Sequence, residues 1–222
     1  MGARFLRWIF NILCAILTRR EVEGWENLPA EGPYILAANH LSIIDLPLLF
    51  GLVGAENVTG WAAEKWENHP FVGRLLRLGG GIFIQRGEVD RGAIQSAIDW
   101  IKAGNIFGIA PEGTRSPTGS LMRAKTGIAY LAEATGAAIL PVAQQGNENA
   151  FAELMRLRRP KLHVRFGKPF HLPPLDPENR ASSLRRNTDE VMCRIALLLP
   201  ESYRGVYADH PILEQLREEQ EP

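Results

Sequence analysis

YILAANHLSIID, residues 34–45, places five consecutive apolar residues directly before a polar turn and a second apolar segment. An apolar run of this length is typical of a strand that is covered on both faces, and the segment after the turn is typical of a buried helix. The same order of strand and polar turn recurs in GIFIQR, residues 81–86, and in IFGIAPEGTRS, residues 106–116. Strands that alternate with helices in this way predict an α/β fold with a largely parallel sheet.

The rest of the chain extends the same alternation. The predicted strands cover residues 34–38, 58–63, 81–85, 106–110, 138–143 and 161–166. The predicted helices cover residues 43–53, 70–78 and 125–135, a segment with apolar residues at 94, 97, 98 and 101 that ends at Gly104, and a segment that opens at Asp176-Pro177 and runs through Leu198. Because no repeat or linker interrupts this pattern, we expect one domain with a largely parallel mixed sheet flanked by helices.

The composition excludes several classes of protein. The chain has 222 residues, of which 45% are hydrophobic and 23% charged, as in globular domains rather than disordered or polytopic membrane proteins. Its 25 basic and 25 acidic residues balance to a formal charge of zero, which argues against a general nucleic-acid binder. With only Cys14 and Cys193, neither a disulfide framework nor a zinc site is predicted.

The N-terminal segment, residues 5–17, is apolar but too short to cross a bilayer. On a helix the polar residues of this region share one narrow stripe: Arg4, Arg7, Asn11 and Thr18. A mostly apolar helix with a basic stripe is typical of the membrane interface, where arginines can pair with anionic headgroups. A core helix is the alternative. A signal peptide fits poorly, because Thr18-Arg19-Arg20 replaces the small-residue cleavage site.

A first polar cluster, with His40 and Asp45, follows the strand over residues 34–38, at the sheet edge where α/β proteins gather their active sites. The two side chains can meet only if His40 lies in the turn before a helix and Asp45 in its first turns, an arrangement that Asn39 or Ser42 as a cap would give. An Asp that accepts a bond from His Nδ1 leaves Nε2 free to take a proton from a hydroxyl. A structural capping pair is the alternative.

Two further clusters follow strands and carry cations. Arg86 follows the strand over residues 81–85, and PEGTRS, residues 111–116, follows the strand over residues 106–110. Arg115 could bind a phosphate bidentately, although a surface turn with an internal Glu112–Arg115 pair is the alternative for this cluster alone. A base beside cations suits transfer to a hydroxyl on a phosphate-bearing molecule. Neither a serine-hydrolase elbow nor a nucleotide-binding loop occurs in the sequence.

These motifs resemble those of the glycerolipid acyltransferase family, which includes the 1-acyl-glycerol-3-phosphate acyltransferases. The first family motif, Asn-His followed by four residues and Asp (HX4D), is matched by Asn39, His40 and Asp45. The second is matched by Gly80, Phe83, Ile84 and Arg86. The third is matched without change over residues 111–116, and the fourth resembles residues 139–142. All four occur in the family's order.

The resemblance implies roles for individual residues. His40 is implied as the general base, and Asp45 as its orienting partner. Substrate binding is implied for Arg86, Glu112, Gly113, Thr114 and Arg115, with Lys65 as a further candidate. Together with the charge and apolar patterns, this predicts an amphipathic membrane-interface helix (residues 1–20), an acyltransferase domain (residues 21–205) and an acidic C-terminal tail (residues 206–222).

The resemblance also implies a reaction and a location. A fatty acyl group moves from acyl-CoA or acyl-carrier protein to the free hydroxyl of a lysophospholipid, 1-acyl-glycerol-3-phosphate, to give phosphatidic acid, without a metal or a cofactor. The expected partners are membrane lipids and these substrates, not nucleic acid, and the expected location is the cytoplasmic face of a membrane, peripheral or monotopic. The alternatives are another acceptor (a lyso-ornithine lipid or glycerol-3-phosphate), a lipid hydrolase, and a non-catalytic lipid-binding relative.

Overall fold

The computed structural model describes residues 2–54, 57–85, 87 and 89–219. In this part of the chain seven strands form one sheet: β1 (Arg19–Glu23), β2 (Tyr34–Ala38), β3 (Val58–Ala63), β4 (Ile82–Ile84), β5 (Ile106–Ile109), β6 (Ala138–Gln145) and β7 (Lys161–Phe166). The α-helices of the same ranges are α1 (Gly2–Leu17), α2 (Asp45–Leu52), α3 (Val72–Leu78), α4 (Arg91–Lys102), α5 (Gly127–Thr135), α6 (Ala150–Met155), α7 (Arg180–Leu197) and α8 (Pro211–Glu218).

The strand order across the sheet is β1-β7-β6-β2-β5-β3-β4. The five neighbours from β6 to β4 run parallel to one another, whereas β7 runs antiparallel to β6 and β1 runs parallel to β7. The prediction of a largely parallel mixed α/β sheet is therefore confirmed. Because the five parallel strands end at the same edge, the segments that follow them are brought together there.

Successive side chains of each strand point to opposite faces of the sheet, so two hydrophobic cores form. Ile35 and Ala37 of β2 join a core under helices α4, α5, α7 and α8. Tyr34 and Leu36 join a second core on the opposite face, which also contains apolar residues of α1 and α2. The continuous apolar run of β2 thus serves both faces, as its composition indicates.

All six predicted strands are present, with small differences at their ends. Strand β1 and helices α6 and α8 are additional elements that the sequence pattern does not predict. The prediction that Asp176-Pro177 opens a helix is wrong, because α7 begins at Arg180. The Asp176 carboxylate instead accepts hydrogen bonds from the backbone of Glu178 and the side chain of Asn179, which forms a turn before the helix.

Helix α1 turns Arg7 and Asn11 of the predicted polar stripe toward the protein and exposes its apolar face, while the side chain of Arg4 lies outside the part of the structure that is described. Asn11 accepts a hydrogen bond from Arg20 at 2.6 Å. The expectation that Arg7 meets lipid headgroups is wrong, because its side chain is 5% exposed and its guanidinium lies 5.2 Å from the centroid of the Phe50 ring. Exposed apolar side chains cover the other side of the helix: Phe5, Trp8, Leu13, Ile16 and Leu17. Across the described ranges, every helix falls short of the length and apolarity needed to span a bilayer.

The C-terminal segment expected as an acidic tail packs against the domain. Leu213 and Leu216 of α8 are buried against α7, and Tyr207 just before them is also buried. The phenolic oxygen of Tyr207 accepts a hydrogen bond from the backbone N–H of Ala124 and donates one to Asp189, each at 3.2 Å. This segment therefore supports residues that follow the PEGTRS turn.

Candidate active site

His40 and Asp45 meet at the carboxyl edge of the sheet. His40 lies in the turn after β2, and Asp45 is the first residue of α2, as the sequence predicts for a pair five residues apart. Nδ1 of His40 lies 2.8 Å from Oδ2 of Asp45. The His40 side chain is 14% exposed, and among the described residues its Nε2 atom has no hydrogen-bond partner. The imidazole therefore offers one nitrogen to solvent or substrate while the other is held.

The main chain fixes the Asp45 carboxylate. Oδ2 accepts hydrogen bonds from the backbone N–H groups of Leu41 (2.6 Å) and Ser42 (2.9 Å), besides its contact with His40. The expectation that Asn39 or Ser42 caps α2 is wrong: residue Ile44 occupies that position and makes no side-chain cap bond. The Asp45 side chain itself stabilises the turn before the helix, because its Oδ2 accepts the backbone N–H groups of Leu41 and Ser42.

Asn39 instead ties the end of β2 to the end of β6. Its side-chain amide accepts a hydrogen bond from the backbone N–H of Gln144 and donates one to the Gln144 carbonyl, both at 2.8 Å. The Gln144 side chain donates in return to the carbonyl of Asn39 at 3.2 Å. The Asn39 side chain thus extends the pairing of β2 with β6 one residue past the end of β2, which fixes the start of the His40 turn.

Glu112 ties the same turn to the end of β5. Its Oε1 accepts the backbone N–H of His40 at 2.9 Å, and its Oε2 accepts that of Met122 at 2.8 Å. The backbone N–H of Ser116 donates to the carbonyl of His40 at 2.8 Å, so both main-chain groups of His40 are bound by the PEGTRS segment. Burial raises the pKa of the Glu112 carboxyl, although these two backbone donors lower it.

This geometry bears on the substrate-binding role predicted for Glu112. The side chain is 3% exposed, and both of its oxygens already bind backbone amides. A direct contact with substrate would break one of these bonds. The arrangement supports the more limited role of shaping the site by joining two turns.

Gly113, Thr114 and Arg115 form the outer part of the PEGTRS turn, whereas Pro111 and Ser116 are buried. Gly113 has φ +72°, a conformation that favours glycine. A Cβ added to Gly113 would lie 3.4 Å from Nζ of Lys125, so a cation not identified from the sequence lies directly beside the turn. Thr114 and Arg115 are exposed. Two cations and a glycine turn thus lie at the strand end next to that of His40.

Another predicted substrate-binding residue, Lys65, follows a strand further along the sheet. Lys65 is exposed in a short 3₁₀ turn directly after β3, with Nζ 5.3 Å from the Trp66 ring centroid. Strand β3 is two positions from β2, so Lys65 emerges roughly 10 Å from the His40 turn. Arg86 lies outside the described residues.

Sequence reasoning missed the residue that binds the second oxygen of Asp45. Nδ2 of Asn147 donates to Oδ1 of Asp45 at 2.8 Å and also contacts Oε1 of Gln144 at 3.1 Å. Asn147 and Gln144 are both completely buried. Both residues follow the predicted strand over residues 138–143, in the same way as the three polar clusters follow their strands. This position in the sequence is the signal that could have identified them.

A family model described as acyltransferase matches residues 19–145, more than half of the chain. This chain belongs to the acyltransferase family. The matched residues include the four motifs and end at the last residue of β6. The family resemblance deduced from the motifs is therefore confirmed.

Curated members of the acyltransferase family give the same result. The 1-acyl-sn-glycerol-3-phosphate acyltransferase of Bacillus subtilis is 28% identical over 164 residues, 72% of this chain and 80% of its own length. That of Borreliella burgdorferi is 34% identical over 132 residues, 59% of this chain and 52% of its own length. A lyso-ornithine lipid O-acyltransferase of Pseudomonas aeruginosa is 33% identical over 141 residues, 63% of this chain and 53% of its own length. The chain thus spans about half the length of several relatives that it matches.

A solved structure of the acyltransferase family has the same fold. The crystal structure of the 1-acyl-sn-glycerophosphate acyltransferase from Thermotoga maritima superimposes with a TM-score of 0.64 at 28% sequence identity, and covers 85% of this chain and 76% of its own. The match extends well beyond the region of the family model, so the likeness includes the sheet and much of the C-terminal half.

Proposed function

We propose that this protein transfers a fatty acyl group from an acyl thioester to the free hydroxyl of a lysophospholipid, with 1-acyl-glycerol-3-phosphate as acceptor and phosphatidic acid as product. The observation that carries the proposal is the His40–Asp45 pair at the sheet edge, in which Nδ1 is bound to Asp45 and Nε2 has no hydrogen-bond partner in the part of the chain that the structure describes. The names of the related acyltransferases support the class of acceptor.

The reaction follows from this geometry. Nε2 of His40 takes the proton of the acceptor hydroxyl as its oxygen attacks the carbonyl carbon of the thioester. The C–S bond then breaks, and the imidazolium returns the proton to the departing thiolate. The Asp45 carboxylate stabilises the imidazolium that exists between these two steps and keeps the ring in the required orientation. An ester and a free thiol result, and His40 returns to its starting state.

The cations at the neighbouring strand ends would hold the acceptor. Arg115 is exposed beside the His40 turn and can bind a phosphate through two N–H groups, while Lys125 lies next to Gly113. Lys65, directly after β3, would extend this positive region along the sheet edge. For Arg86, which lies outside the described residues, substrate binding stays a prediction from the sequence. Binding a phosphate at this edge keeps the acceptor hydroxyl near His40, which converts an encounter between two molecules into a reaction within one complex.

Loss of the base is the direct test. The variant His40→Ala should lose about 10²–10⁴-fold in the rate of thiol release from acyl-CoA or acyl-carrier protein, because general-base catalysis contributes that much. His171→Ala, which changes an exposed histidine far along the chain, should keep wild-type turnover. Wild-type turnover by His40→Ala would refute the assignment.

A panel of acceptors separates the alternatives. Purified protein should release thiol with 1-acyl-glycerol-3-phosphate faster than with glycerol-3-phosphate or a lyso-ornithine lipid. A preference for the lyso-ornithine lipid would match the Pseudomonas relative instead. Release of free fatty acid without an acceptor would indicate a hydrolase, and lipid binding without turnover would indicate a non-catalytic relative.

We also propose that α1 holds the protein at the cytoplasmic face of a membrane as a peripheral or monotopic anchor. Its apolar face is exposed, and Arg7 and Asn11 on the opposite side face the protein, which is the orientation that binding to the apolar layer of a membrane requires. Arg159 donates hydrogen bonds to the carbonyls of Ala15 and Thr18 at the C-terminal end of α1, and the segment that leads to Arg159 exposes two further apolar side chains, Met155 (72%) and Leu157 (96%).

Substitution tests the anchor better than deletion of residues 1–18, because Arg7 and Cys14 of α1 are buried and their loss would disturb the fold. Trp8 and Ile16 are each at least 60% exposed. Each should contribute about 1–2 kcal/mol to membrane binding, so the double variant Trp8→Ser/Ile16→Ser should bind liposomes at least about 30-fold more weakly than the wild type. Val206→Ser, which removes an equally exposed side chain elsewhere, should float with liposomes as the wild type does. Unchanged flotation of the double variant would remove α1 as the anchor.

A further inference from the structure

Asn147 lies two residues beyond β6, just outside the region matched by the family model. The chain turns at Gly146, where φ is +83° and a Cβ would lie 2.2 Å from the carbonyl oxygen of Lys161. Only glycine fits this turn, and the turn carries the next residue back over the sheet edge. Asn147 is completely buried, so it cannot meet a substrate.

The Asn147 side chain completes the hydrogen bonding of the Asp45 carboxylate. Oδ2 of Asp45 has three donors, whereas among the described residues Oδ1 has only Nδ2 of Asn147, at 2.8 Å. The orientation of the amide is fixed by its surroundings: an oxygen in place of Nδ2 would face both the Asp45 carboxylate and Oε1 of Gln144. Asn147 therefore acts as a donor that distinguishes one oxygen of Asp45 from the other.

We propose that Asn147 is a positioning residue for acyl transfer, which acts on His40 through Asp45. The inference rests on the proposed function, because Asp45 serves catalysis only by orienting the His40 ring. The backbone N–H groups of Leu41 and Ser42 hold Oδ2, and the bond from Asn147 holds Oδ1 as a second point, so that the carboxylate resists rotation about its Cβ–Cγ bond and Oδ2 stays in line with Nδ1 of His40. Rotation would turn the accepting lone pair away from the ring, and the ring would lose its fixed tautomer and direction.

The effect should appear in kcat and not in KM. Asn147 contacts neither substrate, whereas the orientation of His40 matters most in the transition state, when the ring accepts the proton. Asn147→Ala should lower kcat about 10–100-fold, a part of the 10²–10⁴-fold that a general base supplies. The KM values for the thioester and for 1-acyl-glycerol-3-phosphate should stay within about twofold of the wild type.

A matched control separates positioning from simple destabilisation. Asn187 is also buried, at 3% exposure, and its side chain donates one hydrogen bond, to the carbonyl of Pro173 at 2.8 Å. Asn187→Ala removes a similar bond outside the site and should keep the wild-type kcat. Asn147→Asp keeps the size of the side chain but opposes a second carboxylate to Asp45, and should lose at least as much kcat as Asn147→Ala. It also supplies a second variant if Asn147→Ala does not fold.

NMR of the His40 ring tests the positioning independently of turnover. In the wild type the Nδ1 proton shared with Asp45 should give a downfield, exchange-protected resonance, assigned by its absence in His40→Ala. The resonance should persist in Asn187→Ala and be lost or shifted in both Asn147 variants. An unchanged resonance, or a kcat of both Asn147 variants within twofold of the wild type, would overturn the proposal. If the wild type does not acylate any acceptor but the resonance still depends on Asn147, the proposed function fails and the positioning stands.

Discussion

Replacing Glu112 by glutamine tests whether this residue binds substrate or joins two turns. The carboxylate accepts backbone N–H groups at both oxygens, from His40 and from Met122. Glutamine has the same shape but only one acceptor, so its NH2 group must face one of these two N–H donors. Because the site is buried, no water can replace the lost bond without displacing protein atoms.

Two opposing effects determine how much Glu112→Gln changes the free energy of unfolding. A buried backbone N–H without a partner costs about 1–3 kcal/mol. The neutral amide also removes the cost of burying a charge, a cost that is evident because burial raises the pKa of Glu112. Near neutral pH the free energy of unfolding should therefore fall by about 1 kcal/mol, which lowers the Tm by about 2–4 °C for a domain of this size.

Turnover should fall as well, because the N–H that loses its partner belongs either to His40 itself or to the loop that follows PEGTRS. We expect kcat to drop about 10-fold, less than the about 10²-fold that a 1 Å misplacement can cost. The measurements are thermal unfolding and steady-state kinetics with both substrates. Glu133→Gln, at a partly exposed acid 3.9 Å from Arg180, should change the stability by less than about 0.5 kcal/mol. An unchanged Tm for Glu112→Gln together with a raised acceptor KM would refute the joining role and favour direct substrate binding.

Three further predictions follow from the same contacts. Burial raises the pKa of Glu112 above the 4.5 of an unperturbed carboxyl. The stability advantage of the wild type over Glu112→Gln should therefore be fully present below pH 4.5 and decrease as the pH rises through the pKa of Glu112 in the folded protein. Urea unfolding of both proteins across this range would measure this advantage, and an advantage that grows with pH would contradict the prediction. Arg115→Ala should raise the KM for 1-acyl-glycerol-3-phosphate more than the KM for acyl-CoA. The control Arg158→Ala changes an exposed arginine in the loop after α6 and should alter neither KM. Equal effects of Arg115→Ala on both KM values would exclude phosphate binding by Arg115. Tyr207→Phe should lower the free energy of unfolding by about 1–3 kcal/mol, because the N–H of Ala124 loses its acceptor, and equilibrium denaturation with an unchanged midpoint would show that this bond contributes nothing.

The sheet was predictable because its central strands are buried on both faces. β2 and β6 are apolar at nearly every position, so their composition alone separates them from loops and helices. The edge strand β1, with the sequence RREVE, pairs among the described residues with β7 alone and alternates between exposed and half-buried residues. Its single apolar residue gives no strand signal, and its pairing depends on β7, more than a hundred residues away.

The catalytic pair was predictable for a local reason. His40 and Asp45 are five residues apart, and a turn followed by the first residue of a helix is the arrangement that lets them meet. The hydrogen-bond partners of these two residues were not predictable. Asn147 reaches Asp45 from 102 positions along the chain, and Glu112 binds backbone N–H groups that any sequence would offer at those positions. Such contacts follow from the order of strands in the sheet, which the sequence pattern leaves open.

The order of the strands explains why a histidine at this position can be held so closely. β2 lies between β6 and β5, so the turn after β2 has a strand end on each side. Asn147 reaches the turn from the β6 side and binds Asp45, whereas Glu112 reaches it from the β5 side and binds the main chain of His40. A histidine after an edge strand would have such a neighbour on one side only. The central place of β2 therefore fixes the base from two directions while its Nε2 atom stays accessible, and the combined variant Asn147→Ala/Glu112→Gln should lose more kcat than either single variant.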